Sequence, residues 1–390
     1  MNVQEKIKKM ENKRGKNHDL VLFREWLDEY LPKHKNLKKI QVAGTNGKGS
    51  TCKWLSMFLQ SEGYKTGMFT SPHLVSHMER IQIDSKDIPL EDWERIYDTW
   101  NVFFEENQLT MFEIDLWMAL VYFIEQNVDV AIIEVGLGGR LDATTSLDYM
   151  ATLITNVGLD HQEILGETLE QIAYEKSGIF KSNAIALTTE KNPACQKVME
   201  LVADYLNVML GFVSLSNVTK TKEGYKVVYN GVEYVAKIPE YQIDNMILAL
   251  ETLFVLGYSI SSEHIQETLN NFNWLGRFSV IRQHPYVLVD GAHNVPGIKS
   301  LVSSLHKFDG KIYFSVLKEK DAPEMIKELK KLTEDIVLVR FETDRLYPLE
   351  NLGLPIVEFN DLEKIIKNTK ENLLLCGSLY FVGDVLKIKI

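Results

Sequence analysis

The stretch Ile40-Gln-Val-Ala-Gly-Thr-Asn-Gly-Lys-Gly-Ser-Thr51 constrains this chain more than any other. The residues up to Ala43 read as a buried strand, and Gly49 to Gly63 as a helix. Between them lies a turn carrying glycines and one lysine. This arrangement aims backbone N–H groups and the positive end of a helix dipole at one point, which suits the phosphates of a nucleotide. Gly44, Thr45, Asn46, Gly47, Gly49, Ser50 and Thr51 are then the contacting loop. Lys48 reaches the outer phosphates, and the hydroxyl of Ser50 or Thr51 is a ligand for Mg²⁺. The match to the general phosphate-loop pattern is imperfect. Val42 stands where a glycine is wanted, and Gly49 stands where Ser or Thr is. The plain alternative, an ordinary glycine-rich turn, fits less well with glycines on both sides of a lone lysine.

A chain of 390 residues is long for one domain, so two are expected. A formal charge of −11 argues against a nucleic-acid surface, which needs clustered Lys and Arg. The three cysteines, Cys52, Cys195 and Cys376, are scattered and suggest neither a disulfide framework nor a zinc site. The Lys-rich N-terminus lacks the apolar core of a signal peptide, and no apolar run approaches the ~18 residues that span a bilayer. These features point to the cytoplasm.

Strand-like and helix-like stretches alternate through the first half. Strands are expected at Lys39–Ala43, Lys65–Phe69, Val130–Val135 and Ala151–Val157, with helices at Leu90–Gln108, Phe112–Asn127 and Thr168–Phe180. The fold class is therefore α/β, a mainly parallel sheet covered by helices, which binds ligands beyond the carboxyl ends of its strands. Residues 211–238 change to a hairpin pattern around Asn230-Gly231, expected as a small antiparallel patch. After Arg282-Gln-His-Pro285 the alternation starts afresh, giving domains of 1–282 and 283–390, the smaller one also α/β and Rossmann-like.

Further polar groups fall at strand ends. Glu134 interrupts the apolar run Val130–Val135, and a carboxylate there needs a cation or donors. Mg²⁺ is one candidate, and an ion pair with Arg140 or another basic residue is the other. His161 beside Asp160 is a candidate metal ligand or acid–base group. Lys176 lies in an amphipathic helix, where periodicity alone gives a solvated surface lysine. In the second domain Asp290, His293 and Asn294 end the first strand, with a helix-capping Asp as the bland reading of Asp290.

Taken in order, these segments resemble folylpolyglutamate synthase/dihydrofolate synthase, a branch of the Mur ligase superfamily. The hallmarks are Val42–Ser50, Thr70-Ser-Pro-His-Leu74, Glu79-Arg-Ile81, Thr110-Met-Phe-Glu113 and Glu134–Thr144. They continue with Asp160-His161, Glu175–Ile179, Asp290–Asn294, Lys320-Asp321 and Gly377–Gly383. The resemblance implies a central ATPase domain and a C-terminal domain that together close the site. It implies that ATP phosphorylates a pteroate or folate carboxylate and that the amine of glutamate attacks the acyl phosphate. By the same likeness Lys48 and the loop hold the phosphates, while Ser50, Ser71 and Glu134 bind one Mg²⁺, and Glu134 with His161 a second. Lys176 matches a carbamylated lysine, Asn245 an adenine-side asparagine and Arg277 a phosphate-facing arginine. Asp290 and His293 complete the ATP site, and Phe112 and Glu113 approach the pterin. The likeness also implies a monomer. Departures occur at Tyr241 (family His), Leu275 (Pro), Val295 (Pro) and Thr145 (Asn), and the proline expected soon after Lys181 is absent. They leave the phosphate and metal groups in place. The alternatives are a diverged ligase of the superfamily acting on another acid, and a nucleotide-binding protein without turnover.

Overall fold

The computed structural model describes residues 2–12, 18–215, 217–221 and 224–388. By their internal contacts these form two compact units. The first is built on eight strands: β1 Lys38–Ala43, β2 Thr66–Phe69, β3 Ile81–Ile83, β4 Lys86–Asp87, β5 Val130–Glu134, β6 Ala151–Ile154, β7 Ile185–Thr188 and β8 Leu210–Phe212. Their order is β4-β3-β2-β5-β1-β6-β7-β8. From β2 to β8 the pairing is parallel; β3 and β4 add an antiparallel edge.

β1 sits centrally because five of its six residues are buried, as expected of a strand covered on both faces. Its two buried polar side chains donate to neighbours: Gln41 Nε2 to Thr144 Oγ1 at 2.9 Å and Thr145 Oγ1 at 3.0 Å, and Lys39 Nζ to His34 O at 2.6 Å. The register sets Val42 beside Glu134 and Ala43 beside Ile154. The loops after β1, β5 and β6 thus leave the sheet together at its carboxyl edge. β6 ends at Ile154, three residues short of the expected Val157. The Thr155 N–H still donates to Ala43 O at 2.9 Å, but the following residues turn toward the loop after β1.

A separate three-stranded sheet, order β11-β10-β9, contains β9 Val218–Thr221, β10 Gly224–Tyr229 and β11 Val232–Ala236. Asn230 (φ 48°) and Gly231 (φ 80°) make its tight turn, as the Asn-Gly pair foretells.

The second unit carries β12 Ser279–Arg282, β13 Val287–Val289, β14 Lys311–Phe314, β15 Ile336–Arg340, β16 Ile356–Glu358 and β17 Leu373–Cys376, in the order β12-β13-β17-β14-β15-β16. All neighbours are parallel except β12 with β13. The expected junction at 282/283 falls inside this β12–β13 hairpin, so the second unit takes up the chain from Asn271, with 219–225 and 236–243 joining it. Leu288, Phe314, Leu338 and Leu374 pack there with Ile298, Leu301 and Met325 from helices. The three cysteines are buried and unbridged. Among the described residues, no helix is long and apolar enough to cross a membrane.

Candidate active site

The loop after β1 has a shape that only glycine permits at two positions. Gly44 (φ 148°) lies so close to Thr155 that a Cβ would stand 1.8 Å from its Oγ1. Gly47 (φ 86°) begins the helix Lys48–Ser61, and a Cβ there would meet Asn245 Oδ1 at 2.3 Å. Asn245 is buried at this helix terminus, and its Oδ1 lies 3.5 Å from Thr51 Oγ1. Thr51 is thereby turned away, leaving buried Ser50 as the hydroxyl suited to an ion. Lys48 folds over the loop, with Nζ 3.3 Å from Gly44 O and 3.5 Å from Thr45 O. The first-turn amides of Lys48–Ser61 lie outside the intrahelical ladder and at the positive end of the dipole. Thr45 and Asn46 differ from the sequence expectation: their N–H groups donate to Asn156 O at 2.9 Å and Asn156 Oδ1 at 3.0 Å.

Glu134 closes β5 at 4% exposure, and its Oε2 accepts the Ser71 N–H at 3.1 Å. Arg140 is not its partner. That guanidinium donates twice to Glu175 Oε1, at 3.0 and 2.8 Å. The carboxylate and the Ser50 and Ser71 oxygens are hard donors, the chemistry that fits Mg²⁺. Burial and the charge of Glu134 push the Cys52 thiol well up, while Lys48 opposes them, so both charges reach the base of the same helix.

Lys176 overturns the surface expectation. It ends the helix Leu169–Ser177 at 2% exposure, because Gly139 and Gly178 let neighbouring backbone close over that turn. A Cβ on Gly139 would meet Lys176 O at 2.9 Å, and one on Gly178 would meet Arg140 Cβ at 2.3 Å. Burial, with the charge of Lys48, lowers its pKa to about 7 against the pull of Asp160. His161 follows Asp160 in a left-handed conformation (φ 51°). Its N–H donates to Asp160 Oδ1 at 3.0 Å, and its side chain is 41% exposed.

Phe112 and Glu113 begin the helix Met111–Glu125. The Phe112 ring lies 5.4 Å from that of Phe69 and roofs Gly136, whose Cβ would meet it at 2.8 Å. The Glu113 carboxylate closes a capping box, accepting from the Thr110 N–H at 2.7 Å, and its other oxygen lies 2.9 Å from His18 Nδ1. Both carboxylate oxygens of Glu113 thus have partners within the protein. Sequence reasoning missed the neighbouring buried network. His77 Nε2 lies 2.7 Å from Asp115 Oδ1, Arg80 Nη1 lies 3.3 Å from Asp115 Oδ2, and Arg80 Nε donates to His73 Nδ1 at 3.0 Å. Glu11, His73 and His77 bring ligand-type atoms within 4.8 Å of one another, but Arg80 occupies His73 Nδ1 and sets a guanidinium beside them. The motif Ser-Pro-His-Leu-Val-Ser-His was the available signal, with two histidines four apart.

In the second unit, Asp290 is buried and its carboxylate is fully addressed. Oδ2 accepts from the Tyr241 hydroxyl and the Phe278 N–H, both at 2.8 Å, and Oδ1 accepts from the Ala292 N–H at 2.8 Å. Burial nevertheless raises its pKa, with these donors and Arg277 opposing. The helix cap is Asn294, not Asp290: its side chain accepts from the Gly297 N–H at 2.8 Å. Arg277 crosses Gly291, where a Cβ would stand 2.3 Å from its Nη1, and His293 Nδ1 lies 2.9 Å from Gly291 O.

A strand-end phosphate loop, a buried strand-end glutamate and a buried low-pKa lysine define an ATP-handling α/β core. The model of the Mur ligase middle domain matches residues 42–253. The dihydrofolate synthase/folylpolyglutamate synthase of Buchnera aphidicola subsp. Acyrthosiphon pisum (strain APS) is 32% identical over 413 residues, covering 96% of this chain and 100% of that protein. Escherichia coli FolC in complex with DHPP and ADP superposes with a TM-score of 0.87 at 27% identity, covering 100% of this chain and 97% of that one. A bifunctional folylpolyglutamate synthase/dihydrofolate synthase with Mn, AMPPNP and L-glutamate bound gives 0.87 at 26%, covering 99% and 97%. The chain belongs to the dihydrofolate synthase/folylpolyglutamate synthase family of Mur-type ligases.

Proposed function

We propose that the protein is an ATP-dependent ligase joining L-glutamate to dihydropteroate, to the glutamate tail of a reduced folate, or to both. Family membership and the ligands named for the similar structures, ADP, AMPPNP, Mn, DHPP and L-glutamate, support the substrates. A carboxylate oxygen of the acid attacks the γ-phosphorus, ADP leaves, and an acyl phosphate forms. The glutamate amine then attacks the carbonyl carbon, phosphate departs with the transferred oxygen, and the ammonium proton passes to solvent or base.

The chain's task is positioning and charge neutralisation. Lys48 and the first-turn amides hold the outer phosphates. Ser50, Ser71 and Glu134 are the set for one Mg²⁺, and Glu134 with His161 for a second, which when bound would neutralise phosphate charge. Asn245 serves the nucleotide and Phe112 with Glu113 flanks the pterin, while Arg277, Asp290 and His293 keep the roles that the resemblance gives them. The first unit acts as the ATP-binding domain, and the second, which takes up the chain from Asn271, as the second Mur-type domain. The protein acts as a cytoplasmic monomer.

One observation carries this reading: Lys176 is buried, 2% exposed, in the turn that Gly139 and Gly178 let neighbouring backbone close over, and burial lowers its pKa to about 7. A largely neutral amine adds CO₂, forming an N–C bond and releasing a proton. The resulting carbamate would supply an anion to a second ion. The test is ADP release from Mg²⁺-ATP and glutamate with dihydropteroate or tetrahydrofolate in separate runs. Release with either supports the reading. Nucleotide binding without release on either acid refutes it.

A further inference from the structure

The amides of Thr45 and Asn46 are held inside the protein rather than left to an anion. In a general phosphate loop, amides of this stretch turn toward the phosphates. Here Asn156 pairs with Asn46 as a strand neighbour would. Its Oδ1 accepts the Asn46 N–H at 3.0 Å, and its Nδ2 donates to the Asn46 carbonyl, also at 3.0 Å. Thr155 Oγ1 donates to that same carbonyl at 2.6 Å. Thr45 is fixed at both ends: its N–H donates to Asn156 O at 2.9 Å, and its Oγ1 accepts the Gly158 N–H at 2.9 Å. The carboxamide offers its acceptor and its donor to the N–H and C=O of one residue.

The segment that does the holding is itself anchored. Thr189 Oγ1 donates to Thr155 O at 2.7 Å. The Glu190 carboxylate, 6% exposed at the end of β7, accepts the Val157 N–H and the amides of Lys191 and Asn192. A chain of contacts therefore runs from β7 through residues 155–158 into the phosphate loop, and Gly44 is the glycine that lets Thr155 approach.

We propose that Asn156, with Thr155, is a positioning residue that templates the phosphate loop, so that Lys48 and the first-turn amides alone read the phosphates while Thr45 and Asn46 do not. This rests on the nucleotide reading of the site and deepens it. The general pattern uses a glycine at Val42 and a hydroxyl after the lysine. In this chain the loop's shape comes instead from across the sheet.

The test measures binding of Mg²⁺-ATP, ADP and adenosine to the full-length protein by calorimetry. Asn156→Ala is expected to weaken ATP and ADP by about tenfold, with adenosine within about twofold, since only the phosphate end is displaced. Thr155→Val, which keeps the shape and loses the hydroxyl, should move in the same direction, and Thr155→Ser should restore affinity. The threonine pair carries the test if Asn156→Ala does not fold. Equal losses for adenosine and ATP would mark a general loosening and overturn the proposal, as would unchanged ATP affinity in both Asn156→Ala and Thr155→Val. A wild-type protein that bound no ATP would remove the nucleotide reading itself.

Discussion

The Tyr241 hydroxyl donates to Asp290 Oδ2 at 2.8 Å. This hydrogen bond occupies the position where the family pattern has histidine. It lowers the Asp290 pKa against the upward push of burial, and the aspartate in turn helps raise the tyrosine well above its usual range. Tyr241→Phe removes one of the three donors that Tyr241, Phe278 and Ala292 offer the carboxylate. The variant should lose about 1.5 to 3 kcal/mol of stability, the cost of a hydrogen bond to a charged group. Its Asp290 pKa should rise, so the acid limb of the activity profile should move to higher pH. A pH–rate profile of wild type and variant, read with thermal unfolding, checks both.

Lys176 gives a stability prediction whose sign follows from its depressed pKa. In the unfolded chain this amine holds its proton to about 10.5, and in the folded protein only to about 7. Between these values the unfolded state binds more protons, so unfolding free energy rises with pH, by up to about 1.4 kcal/mol per unit. Below about pH 7 both states are protonated, and the full cost of burying the cation is present. Denaturant unfolding in CO₂-free buffer should show this slope in wild type, reduced in Lys176→Met. Separately, Lys176→Ala should lose most ligase activity, keep ATP binding, and recover partly with small carboxylates. Wild-type turnover in that variant would refute the carbamate role.

Gly47→Ala tests the close approach at the helix terminus. The new Cβ would meet Asn245 Oδ1 at 2.3 Å in a backbone conformation with φ 86°. The left-handed conformation alone costs about 1 to 2 kcal/mol for a residue with a Cβ. ATP affinity should fall at least tenfold (about 1.4 kcal/mol). Adding Asn245→Ala should not restore it, because the backbone strain remains. Nucleotide titration of the single and double variants decides.

Arg140 and Glu134 make a contrasting pair. Arg140 binds Glu175 at 43% side-chain exposure, so Arg140→Ala should cost less than about 1 kcal/mol and leave turnover near wild type. Glu134→Gln keeps an acceptor for the Ser71 N–H but removes the charge. It should abolish most activity and raise the Mg²⁺ concentration needed for half-maximal rate. Chelation of divalent ions should silence the wild type, and added Mg²⁺ should restore it.

The alternation of strand and helix, and the polar residues at strand ends, were legible in the sequence because parallel sheets impose both. β1, β2 and β5 stand where apolar runs placed them. Short edge strands such as β3, β4 and β16 lack a run long enough to register, and β12 joins the second sheet through pairing that local pattern does not encode. At the site, Gly44 and Lys48 announced themselves through local glycine chemistry. Lys176 did not, because its burial comes from Gly139 and Gly178 admitting backbone from elsewhere in the chain. The Tyr241–Asp290 and Asn46–Asn156 bonds join residues 49 and 110 positions apart, and no spacing rule connects them. Glu113 carries a local signal of its own: Thr110 and Glu113, three residues apart, form the capping box that opens their helix.

The account's central claim is that ATP activates a carboxylate. It is tested most directly by incubating the protein with Mg²⁺-ATP, glutamate and dihydropteroate labelled with ¹⁸O in its carboxylate, then analysing the phosphate released by mass spectrometry. Acyl phosphate formation delivers one carboxylate oxygen to phosphorus, so each phosphate formed with product should carry one ¹⁸O. Product formed together with unlabelled phosphate would contradict the claim.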